Sequence, residues 1–443
     1  MLNAIQDVLP GRASVSDSNK LETADRPAHD WYRFVLSYPP HLVRDYLSRF
    51  QMSTQHTVLD PFCGTGTTIV ECKKRGISSV GIEAHPMSHF ASQVKTNWGT
   101  TPERLLDAAR KIADEAVYTL ESRGIVDDPQ PWLLREAGPE RELLSLAPEA
   151  LGLLLRDSIS PLPLHKVLVL HECIERHATA SVLGPLLLAV AKALVTTVGN
   201  LHFGPEVGVG PKKDDAPVVS AWLRLVESMA DDLAGLRKLK AGSSVVHHAD
   251  SRSLLALLRE RSIDAVITSP PYPNEKDYTR TTRLESVILG FFKSKQELQA
   301  LKKGKLLRSN TRNVYKGDDD HHWVAQHPEV QRIAKAIEDR RIELGKTSGF
   351  ERLYAKVTTL YFGGMARHFS ELRRCLKPGA RLAYVVGDQA SYLRVMIRTG
   401  QILAGLAEEL GYEVEGIDLF RTRLSTATRE QLREEAVVLR WPG

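Results

Sequence analysis

The segment from Thr57 to Ala84 constrains the fold more than any other part of the chain. It reads TVLDPFCGTGTTIVECKKRG and then ISSVGIEA, so a short apolar strand, a glycine-rich turn, a helix closed by Gly76 and a second strand follow in order. Parallel neighbouring strands need a crossover connection, which is usually a helix, and the order strand, helix, strand supplies one. The segment therefore predicts the start of an α/β domain with a parallel sheet.

Five further strand candidates appear much later in the chain, which gives seven in all. They are SSVVHHA at 243–249, IDAVITS at 263–269, RLAYVVGD at 381–388, EVEGIDLF at 413–420 and EEAVVLRW at 434–441. Two long segments interrupt the strands. The predicted organisation is a flexible arm at 1–28, α/β segments at 29–100, 241–272 and 351–443, a helical insertion at 101–240 and a second, basic insertion at 273–350.

The composition is that of a soluble globular protein: 42% of the 443 residues are hydrophobic and the net charge is only +5. Four cysteines without a CxxC pair favour a reducing compartment. The first twenty residues lack the pattern of a signal peptide, and the longest uncharged stretch, 177–191, is too short to cross a bilayer. We therefore expect a cytoplasmic protein with no membrane partner.

Positive charge is concentrated in the second insertion. Between Lys276 and Lys316, eleven Lys or Arg residues lie among only three acidic ones. Such an excess indicates a surface that contacts nucleic-acid phosphates, although a solvated basic face has the same composition. The candidate phosphate contacts are Lys303, Lys305, Arg308 and Arg312.

The glycine-rich turn DPFCGTGTT lies where an α/β sheet binds ligands, at the carboxyl end of its first strand. Gly64 and Gly66 let the backbone approach a ligand, but the turn has neither the third glycine of a dinucleotide site nor the GK[ST] ending of a P-loop. Glu83 ends the second strand, where a carboxylate can accept hydrogen bonds from ribose hydroxyls. Asp250 ends the third strand and is a candidate for an adenine amine. An ordinary strand-end acid and a loop-capping Asp are the alternatives.

The loop TSPPYPNEKDY follows the fourth strand directly. Two consecutive prolines stiffen it and remove two N–H donors, so it presents hydrogen-bond acceptors. The ring of Tyr272 can stack on a base while Ser269 and a loop carbonyl accept from an exocyclic amine. A proline-rich turn with a packed tyrosine is the alternative. The similar string SYPPH at 37–41 precedes the first strand, so we do not interpret it as a second base site.

Together, DPFCGTGTT, GIEAHP and TSPPY resemble the motifs of the S-adenosylmethionine-dependent DNA amino-methyltransferases, over residues 29–98 and 243–441. The resemblance implies a Rossmann-like, seven-stranded methyltransferase sheet, S-adenosyl-L-methionine as cofactor and DNA as partner. It implies that the catalytic residues are Ser269, Pro270, Pro271 and Tyr272. The cofactor-binding residues that it implies are Asp60, Pro61, Phe62, Cys63, Gly64, Gly66, Thr67, Thr68, Glu83 and Asp250.

Within that family, SPPY is typical of enzymes that methylate N4 of cytosine, whereas DPPY and NPPY are typical of N6-adenine enzymes. The resemblance therefore implies cytosine N4 methylation on a flipped base, by direct displacement, with N6-adenine as the alternative. None of the four cysteines follows a proline, which disfavours 5-methylcytosine chemistry.

Several alternatives stay open. The chain can act on RNA bases, or be a non-catalytic DNA-binding defence subunit, and a cognate restriction or defence protein is a partner suggested by the resemblance alone. Either insertion can read the target sequence, and the oligomeric state is open. His171, Cys173 and His177 in HECIERH have metal-ligand chemistry but no second ligand cluster, so we predict no metal.

Overall fold

A computed structural model gives the fold and describes residues 21–33, 37–128, 142–204, 206–274, 276–424 and 430–443. Residues 1–20 of the predicted flexible arm lie outside the described residues. The rest of that segment is packed on the domain: Thr23–Asp25 and Arg26–His29 form short helices, and Ala28 is buried in the core. The packed segment thus begins before the boundary predicted at residue 28.

A seven-stranded sheet forms the centre of the molecule. Its strands are β1 (Thr57–Asp60), β2 (Ser78–Glu83), β3 (Ser244–His248), β4 (Ile263–Thr268), β5 (Leu376–Gly387), β6 (Glu413–Leu424) and β7 (Gln431–Arg440). They lie in the order β3-β2-β1-β4-β5-β7-β6. Neighbours from β3 to β5 pair in parallel, and β7 is antiparallel to both β5 and β6. The predicted α/β fold with a Rossmann-like sheet is confirmed.

The longer helices among the described residues follow the predicted alternation with the strands. They are α1 (Pro40–Arg49), α2 (Thr67–Lys74), α3 (Pro86–Thr96), α4 (Pro102–Ser122), α5 (Pro161–His177), α6 (Ala180–Ala193), α7 (Val219–Leu236), α8 (Lys295–Gly304), α9 (Pro328–Glu343), α10 (Tyr354–Cys375) and α11 (Thr399–Glu409). The loop after α2 turns at Gly76, whose φ of 74° suits a residue without a side chain.

Alternating strand residues bury the two faces of the sheet. Val58 and Ala265 pack with α1 on one face, and Leu59 and Val266 pack with α10 and α11 on the other. Successive side chains of a strand point to opposite faces, so the apolar runs of β1 and β4 supply both cores. The result is a three-layer α/β/α domain.

The predicted helical insertion contains α4 to α7, which pack with α3 and the N-terminal segment into a core of their own. Trp222 is buried there, and its indole Nε1 donates to the carbonyl of Leu186 at 2.9 Å. A small hairpin of Leu201–Phe203 and Val207–Val209 also lies in this region. The sequence did not predict it, because strands of three residues carry too little alternation to detect.

Helix α6 continues as a π-helix, Leu194–Val198, so the helical stretch Ala180–Val198 is long and apolar enough to cross a membrane by length and composition. The sequence indicated only that the uncharged stretch 177–191 is too short to cross a bilayer, and the helix continues past Lys192. Its most apolar window is 56% buried inside the protein. Among the described residues it is the one helix of this kind, and its packing is that of a core helix.

A buried cluster of charges around Glu71 attaches the N-terminal segment to α2. His29 Nε2 donates to Glu71 Oε1 at 2.7 Å, and Arg44 Nη1 lies 3.2 Å from Glu71 Oε2 and 2.6 Å from Asp25 Oδ1. Burial lowers the pKa of His29 to about 4, so the imidazole is neutral at pH 7. Burial alone would raise the pKa of Glu71, but the hydrogen bond from His29 and the charges of Lys74 and Arg44 lower it to about 2.

Replacing Glu71 by Ala is expected to lower the free energy of unfolding by about 2–3 kcal/mol, because it leaves His29 without its buried partner and removes one of the two buried carboxylates that pair with Arg44. Urea unfolding followed by circular dichroism measures this change. The lowered pKa means that Glu71 stabilises the fold above pH 4.5 and that this contribution is lost as the pH falls towards 2. Glu71→Ala should therefore also flatten the acid limb of the stability profile.

The matched control is Glu329→Ala, which removes an exposed pair with Arg332 and should cost less than about 1 kcal/mol. Equal losses in the two variants would mean that the Glu71 cluster does not hold the N-terminal segment in place.

Candidate functional site

A cavity of about 730 Å³ lies at the carboxyl ends of β1, β2, β4 and β5. It is formed here because β1 pairs with β4, in the register Val58 to Ala265 and Leu59 to Val266, so the loops that follow these strands face each other. This junction is where the strand order reverses, the usual ligand position in open α/β sheets. The volume is in the range of small-molecule sites.

The glycine-rich turn forms one wall of the cavity. Gly64 has a φ of 51°, and a Cβ built on it would meet nothing within 4 Å, so the backbone is exposed to the cavity at this point. Gly66 has a φ of 86°, and a Cβ there would lie 2.5 Å from Ser92 Oγ on α3. Gly64 therefore opens a cradle for a ligand, whereas Gly66 allows the turn to pack closely on α3 and does not line the cavity.

Asp60 lies beneath the cavity rather than in its wall. Its Oδ1 accepts from Thr268 Oγ1 at 2.6 Å and from the Phe62 backbone N–H at 3.2 Å, and its Oδ2 accepts from the Tyr38 hydroxyl at 3.1 Å. Burial raises the pKa of Asp60 to about 6. The carboxylate thus ties together β1, β4 and the N-terminal segment. Thr68 has a similar place, because its hydroxyl donates to the Ile267 carbonyl at 3.0 Å.

Glu83 lines the cavity at the end of β2. Its Oε2 accepts from the Gly64 backbone N–H at 2.8 Å and its Oε1 from the His85 N–H at 2.7 Å. Burial raises the pKa of this carboxyl group to about 7. The two backbone bonds fix the side chain, and each oxygen keeps a lone pair that can accept from a ligand hydroxyl.

Asp250 does not line the cavity, although its neighbours Ala249 and Ser251 do. Arg252 binds the carboxylate through Nε at 3.0 Å and Nη2 at 2.7 Å. Its role as an adenine ligand stays a prediction.

The loop after β4 forms the opposite wall, and Ser269, Pro270, Pro271 and Tyr272 all line the cavity. Ser269 Oγ donates its proton to the Val385 carbonyl at 3.0 Å, which leaves the oxygen lone pairs as acceptors. Tyr272 packs beside Gly387, where a Cβ would lie 3.2 Å from the ring. Burial raises the pKa of the Tyr272 hydroxyl, so it stays protonated at neutral pH.

The four predicted phosphate contacts fall into different environments. Lys303 and Arg312 are exposed, and Lys305 is exposed at the rim of the cavity. Arg308 is only 1% exposed: it pairs with Asp318 and donates to the carbonyls of Lys302 at 2.8 Å and Lys303 at 2.6 Å. The prediction for Arg308 is corrected, because its donors hold the loop together and are not available to a phosphate.

The residues of HECIERH are not brought together as ligands: His177 pairs with Glu115, His171 lies 3.8 Å from Glu175 and Cys173 is buried in the helical core. Elsewhere in the described chain, the ligand atoms of three consecutive acids lie within 4.8 Å of one another. These three acids are Asp318, Asp319 and Asp320. The two buried ones, Asp318 and Asp320, pair with arginines.

Sequence reasoning missed several residues of the cavity wall. Tyr38 belongs to the SYPPH string that was set aside, and the fold brings it beside Asp60. His85 and Tyr278 lie near Glu83, and Asn313 comes from the second insertion. For Asn313 no sequence signal was available, since its place depends on contacts between distant segments.

Parts of the sequence match known proteins. A family model described as DNA methylase matches residues 12–92. The type II methyltransferase M.BsoBI of Geobacillus stearothermophilus is 26% identical over 438 residues, which covers 93% of this chain and 84% of that protein. The type II methyltransferase M.AvaI of Anabaena variabilis is 24% identical over 451 residues, covering 94% and 87%.

A shorter match joins residues of this chain to the type II methyltransferase M.MjaII of Methanocaldococcus jannaschii, at 34% identity over 67 residues, 15% of this chain and 12% of that protein. The two long matches run through both insertions as well as the sheet. With the seven-stranded sheet and the motifs at its strand ends, they support the S-adenosylmethionine-dependent DNA amino-methyltransferase family for this chain.

Proposed function

We propose that this protein transfers a methyl group from S-adenosyl-L-methionine to N4 of cytosine in DNA, at a specific sequence and by direct displacement. The observation that carries the proposal is that the acceptor loop Ser269–Tyr272 and the glycine turn at Gly64 face each other across one cavity. The relatives named as type II methyltransferases support DNA as substrate and a site-specific action. Cytosine is favoured over adenine by the serine of SPPY alone.

The residues of the first wall fit the cofactor. The open cradle at Gly64 and the fixed carboxylate of Glu83 suit a ligand with a ribose and an extended polar chain. Phe62 is held by an edge contact with His368, at 5.0 Å between ring centroids, and supplies an apolar wall. When bound, the cofactor supplies an electrophilic methyl group on a sulfonium.

The opposite wall fits the amine of a flipped base. Ser269 Oγ and the Pro270 carbonyl accept its hydrogens and so orient the nitrogen lone pair, and the ring of Tyr272 stacks on the base. Because Val385 holds the serine proton, the acceptor is in place before the base arrives. Positioning of this kind lowers the barrier without a covalent enzyme intermediate.

The second insertion is our candidate for contacting the target nucleotide. It contributes eight residues to the cavity wall, whereas Glu206 is the single described lining residue of the helical insertion. The eight are Asn274, Lys276, Tyr278, Lys305, Leu306, Leu307, Ser309 and Asn313. Lys303, Lys305 and Arg312 are our remaining phosphate candidates. The helical insertion then reads flanking sequence or supports the domain, and a cognate restriction or defence partner is proposed from the family resemblance alone.

The direct test is to incubate the protein with tritiated S-adenosylmethionine and, separately, duplex DNA, single-stranded DNA or total RNA, and then to identify the labelled nucleoside. We expect N4-methylcytosine from DNA. Label in N6-methyladenine would correct the base and keep the site. Label only in RNA would contradict DNA as substrate, and cofactor binding without any label would contradict the enzymatic proposal.

Tyr272→Ala should lower kcat/KM for DNA by about two orders of magnitude, because the base loses its stacking partner. Tyr272→Phe keeps the ring and should retain most of the activity. Calorimetry should give nearly unchanged affinity for S-adenosylhomocysteine in both variants. A parallel loss of cofactor affinity in Tyr272→Ala would place this ring in the cofactor half of the cavity.

Cofactor affinity should depend on pH through Glu83. With a pKa of about 7, the carboxyl group becomes protonated below neutrality and loses the charge and acceptor capacity that suit ribose hydroxyls, so Kd should rise about tenfold per pH unit below pH 7. Glu83→Gln should bind more weakly at pH 8 and remove this dependence. Calorimetric titrations from pH 5.5 to 8.5 measure both effects.

Asp60 has a pKa of about 6 and titrates in part of the same range, so the comparison with Glu83→Gln isolates the contribution of Glu83. The same pH dependence in wild type and variant would assign the effect to Asp60 and remove Glu83 from the cofactor site.

A further inference from the structure

The base half of the cavity, which contains Ser269–Tyr272, has more basic than acidic side chains. Lys276, Arg421 and Arg423 line the cavity there, the lysine shortly after the SPPY loop and the two arginines on β6. The acids that face this group are Glu434 on β7 and the exposed Glu206. The described side chains therefore leave this part of the wall with a net positive charge.

Glu434 fixes the position of this group beside Tyr272. A Cβ built on Gly387 would lie 3.2 Å from the ring of Tyr272 and 3.4 Å from Cγ of Glu434, so these two side chains are neighbours. Arg421 donates to both oxygens of Glu434, at 2.7 and 2.9 Å, and Arg423 Nε lies 3.6 Å from Oε1. The bidentate pair with Arg421 uses most of the capacity of this one carboxylate.

Lys276 has a fixed backbone and an unpaired ammonium group. Its N–H donates to Asn274 Oδ1 and its carbonyl accepts from Asn310 Nδ2, both at 3.0 Å. The segment that carries Asn310 is bound in turn to the β5 loop, through a 3.0 Å bond from the Tyr392 hydroxyl to the Ser309 carbonyl. Among the described residues, these two backbone bonds are the hydrogen bonds of Lys276, and its Nζ has no ion pair.

Lys276 and Arg423 lie close enough to repel each other. Burial lowers the pKa of Lys276, the charge of Arg423 lowers it further, and Glu434 and Glu206 offset these effects only in part. The side chain of Lys276 is half-buried, whereas that of Arg423 is 48% exposed at the mouth of the cavity. Two cations held together in a partly desolvated place are stabilised when an anion binds between them.

A phosphate of the substrate is the anion that fits this position. When a base is flipped and stacks on Tyr272, its sugar and the flanking phosphates stay at the mouth of the cavity. Lysine and arginine side chains are the usual contacts of DNA phosphates. The cofactor also carries an anion, its carboxylate, but the cradle that suits the cofactor lies on the opposite wall at Gly64.

We propose that Lys276 and Arg423 form a binding site for one of the two phosphates that flank the flipped nucleotide. This inference rests on the proposed function. The site holds the backbone of the target nucleotide beside Tyr272, so that the base stays in the pocket. Arg423 belongs to β6, so the inference adds a DNA contact that lies outside both insertions.

The first test measures how DNA affinity depends on salt. The duplex contains the recognition sequence, which is obtained by sequencing methylated DNA from a host that expresses the full chain. Kd is measured over a series of KCl concentrations for the wild type, Lys276→Gln and Arg423→Gln. Each variant should bind about tenfold more weakly at low salt. The slope of log Kd against log salt should fall by about 1, because one phosphate contact is lost.

Three further variants are controls. Lys276→Arg keeps the charge and should keep the wild-type slope. Lys377→Gln and Arg440→Gln remove cations at the other edge of the sheet, where they pair with Asp264 and Glu413, and should also keep that slope.

The second test locates the phosphate. In two further duplexes, an uncharged methylphosphonate replaces the phosphate on the 5′ or on the 3′ side of the target cytosine. At one of these positions the replacement should raise the wild-type Kd about tenfold, but the Kd of Lys276→Gln less than about twofold. Arg423→Gln should show the same loss of sensitivity at the same position.

An unchanged salt slope in Lys276→Gln and Arg423→Gln, or equal effects of both methylphosphonates on wild type and variants, would overturn the site. A tenfold loss of S-adenosylhomocysteine affinity in these variants would also overturn it and assign the cations to the cofactor carboxylate. If the wild type methylates no DNA, the proposed function itself fails. If it methylates DNA and the variants keep its salt slope, only the phosphate site fails.

Discussion

The parallel pairing of β1 with β4 is the interaction on which the site depends. It places the glycine turn and the SPPY loop side by side, although 200 residues separate them in the chain. Two hydrogen bonds fix the carboxyl ends of the strands: Thr268 donates to Asp60 at 2.6 Å, and Thr68 on α2 donates to the carbonyl of Ile267 at 3.0 Å. Both bonds are buried, so water does not compete with them. The width of the cavity between its two walls follows from this junction.

The parts of the fold and site that local pattern determines were predictable. The apolar runs of β1, β4 and β5 have the periodicity of strands buried on both faces, and residues such as Gly64, Glu83 and Tyr272 lie at or after strand ends. A residue that directly follows a parallel strand must lie at the carboxyl edge of the sheet. Its approach to the ligand cavity is therefore set by the topology that the sequence already indicates.

The rest depends on contacts between distant segments. Arg308 is buried against Asp318, whereas Lys303 is exposed. A count of charges in the second insertion cannot distinguish them, because composition does not show which residues are buried. Asp250 is bound by Arg252 only two residues away, a local ion pair that its position at a strand end does not predict. Asn313 reaches the cavity through a turn anchored to two other loops.

The second insertion is built into the catalytic domain rather than attached to it. Arg252, after β3, pairs both with Asp250 and with Asp320 of the insertion. The backbone of Asp320 lies against α10 at Gly363, where a Cβ would stand 1.9 Å from the Asp320 carbonyl oxygen, so only glycine allows this approach. A segment packed in this way keeps a fixed position relative to the SPPY loop, which a flexible appendage cannot do.

The central claim is that one cavity holds the cofactor against the β1 and β2 loops and the reacting amine against the β4 loop. A crystal structure of the protein with S-adenosylhomocysteine tests it most directly. The account predicts ribose hydroxyls within hydrogen-bond distance of Glu83, the amino-acid chain along the Gly64 turn and the sulfur facing Ser269 and Tyr272. A ligand bound outside this cavity, or with its sulfur turned away from the Ser269–Tyr272 loop, would contradict it.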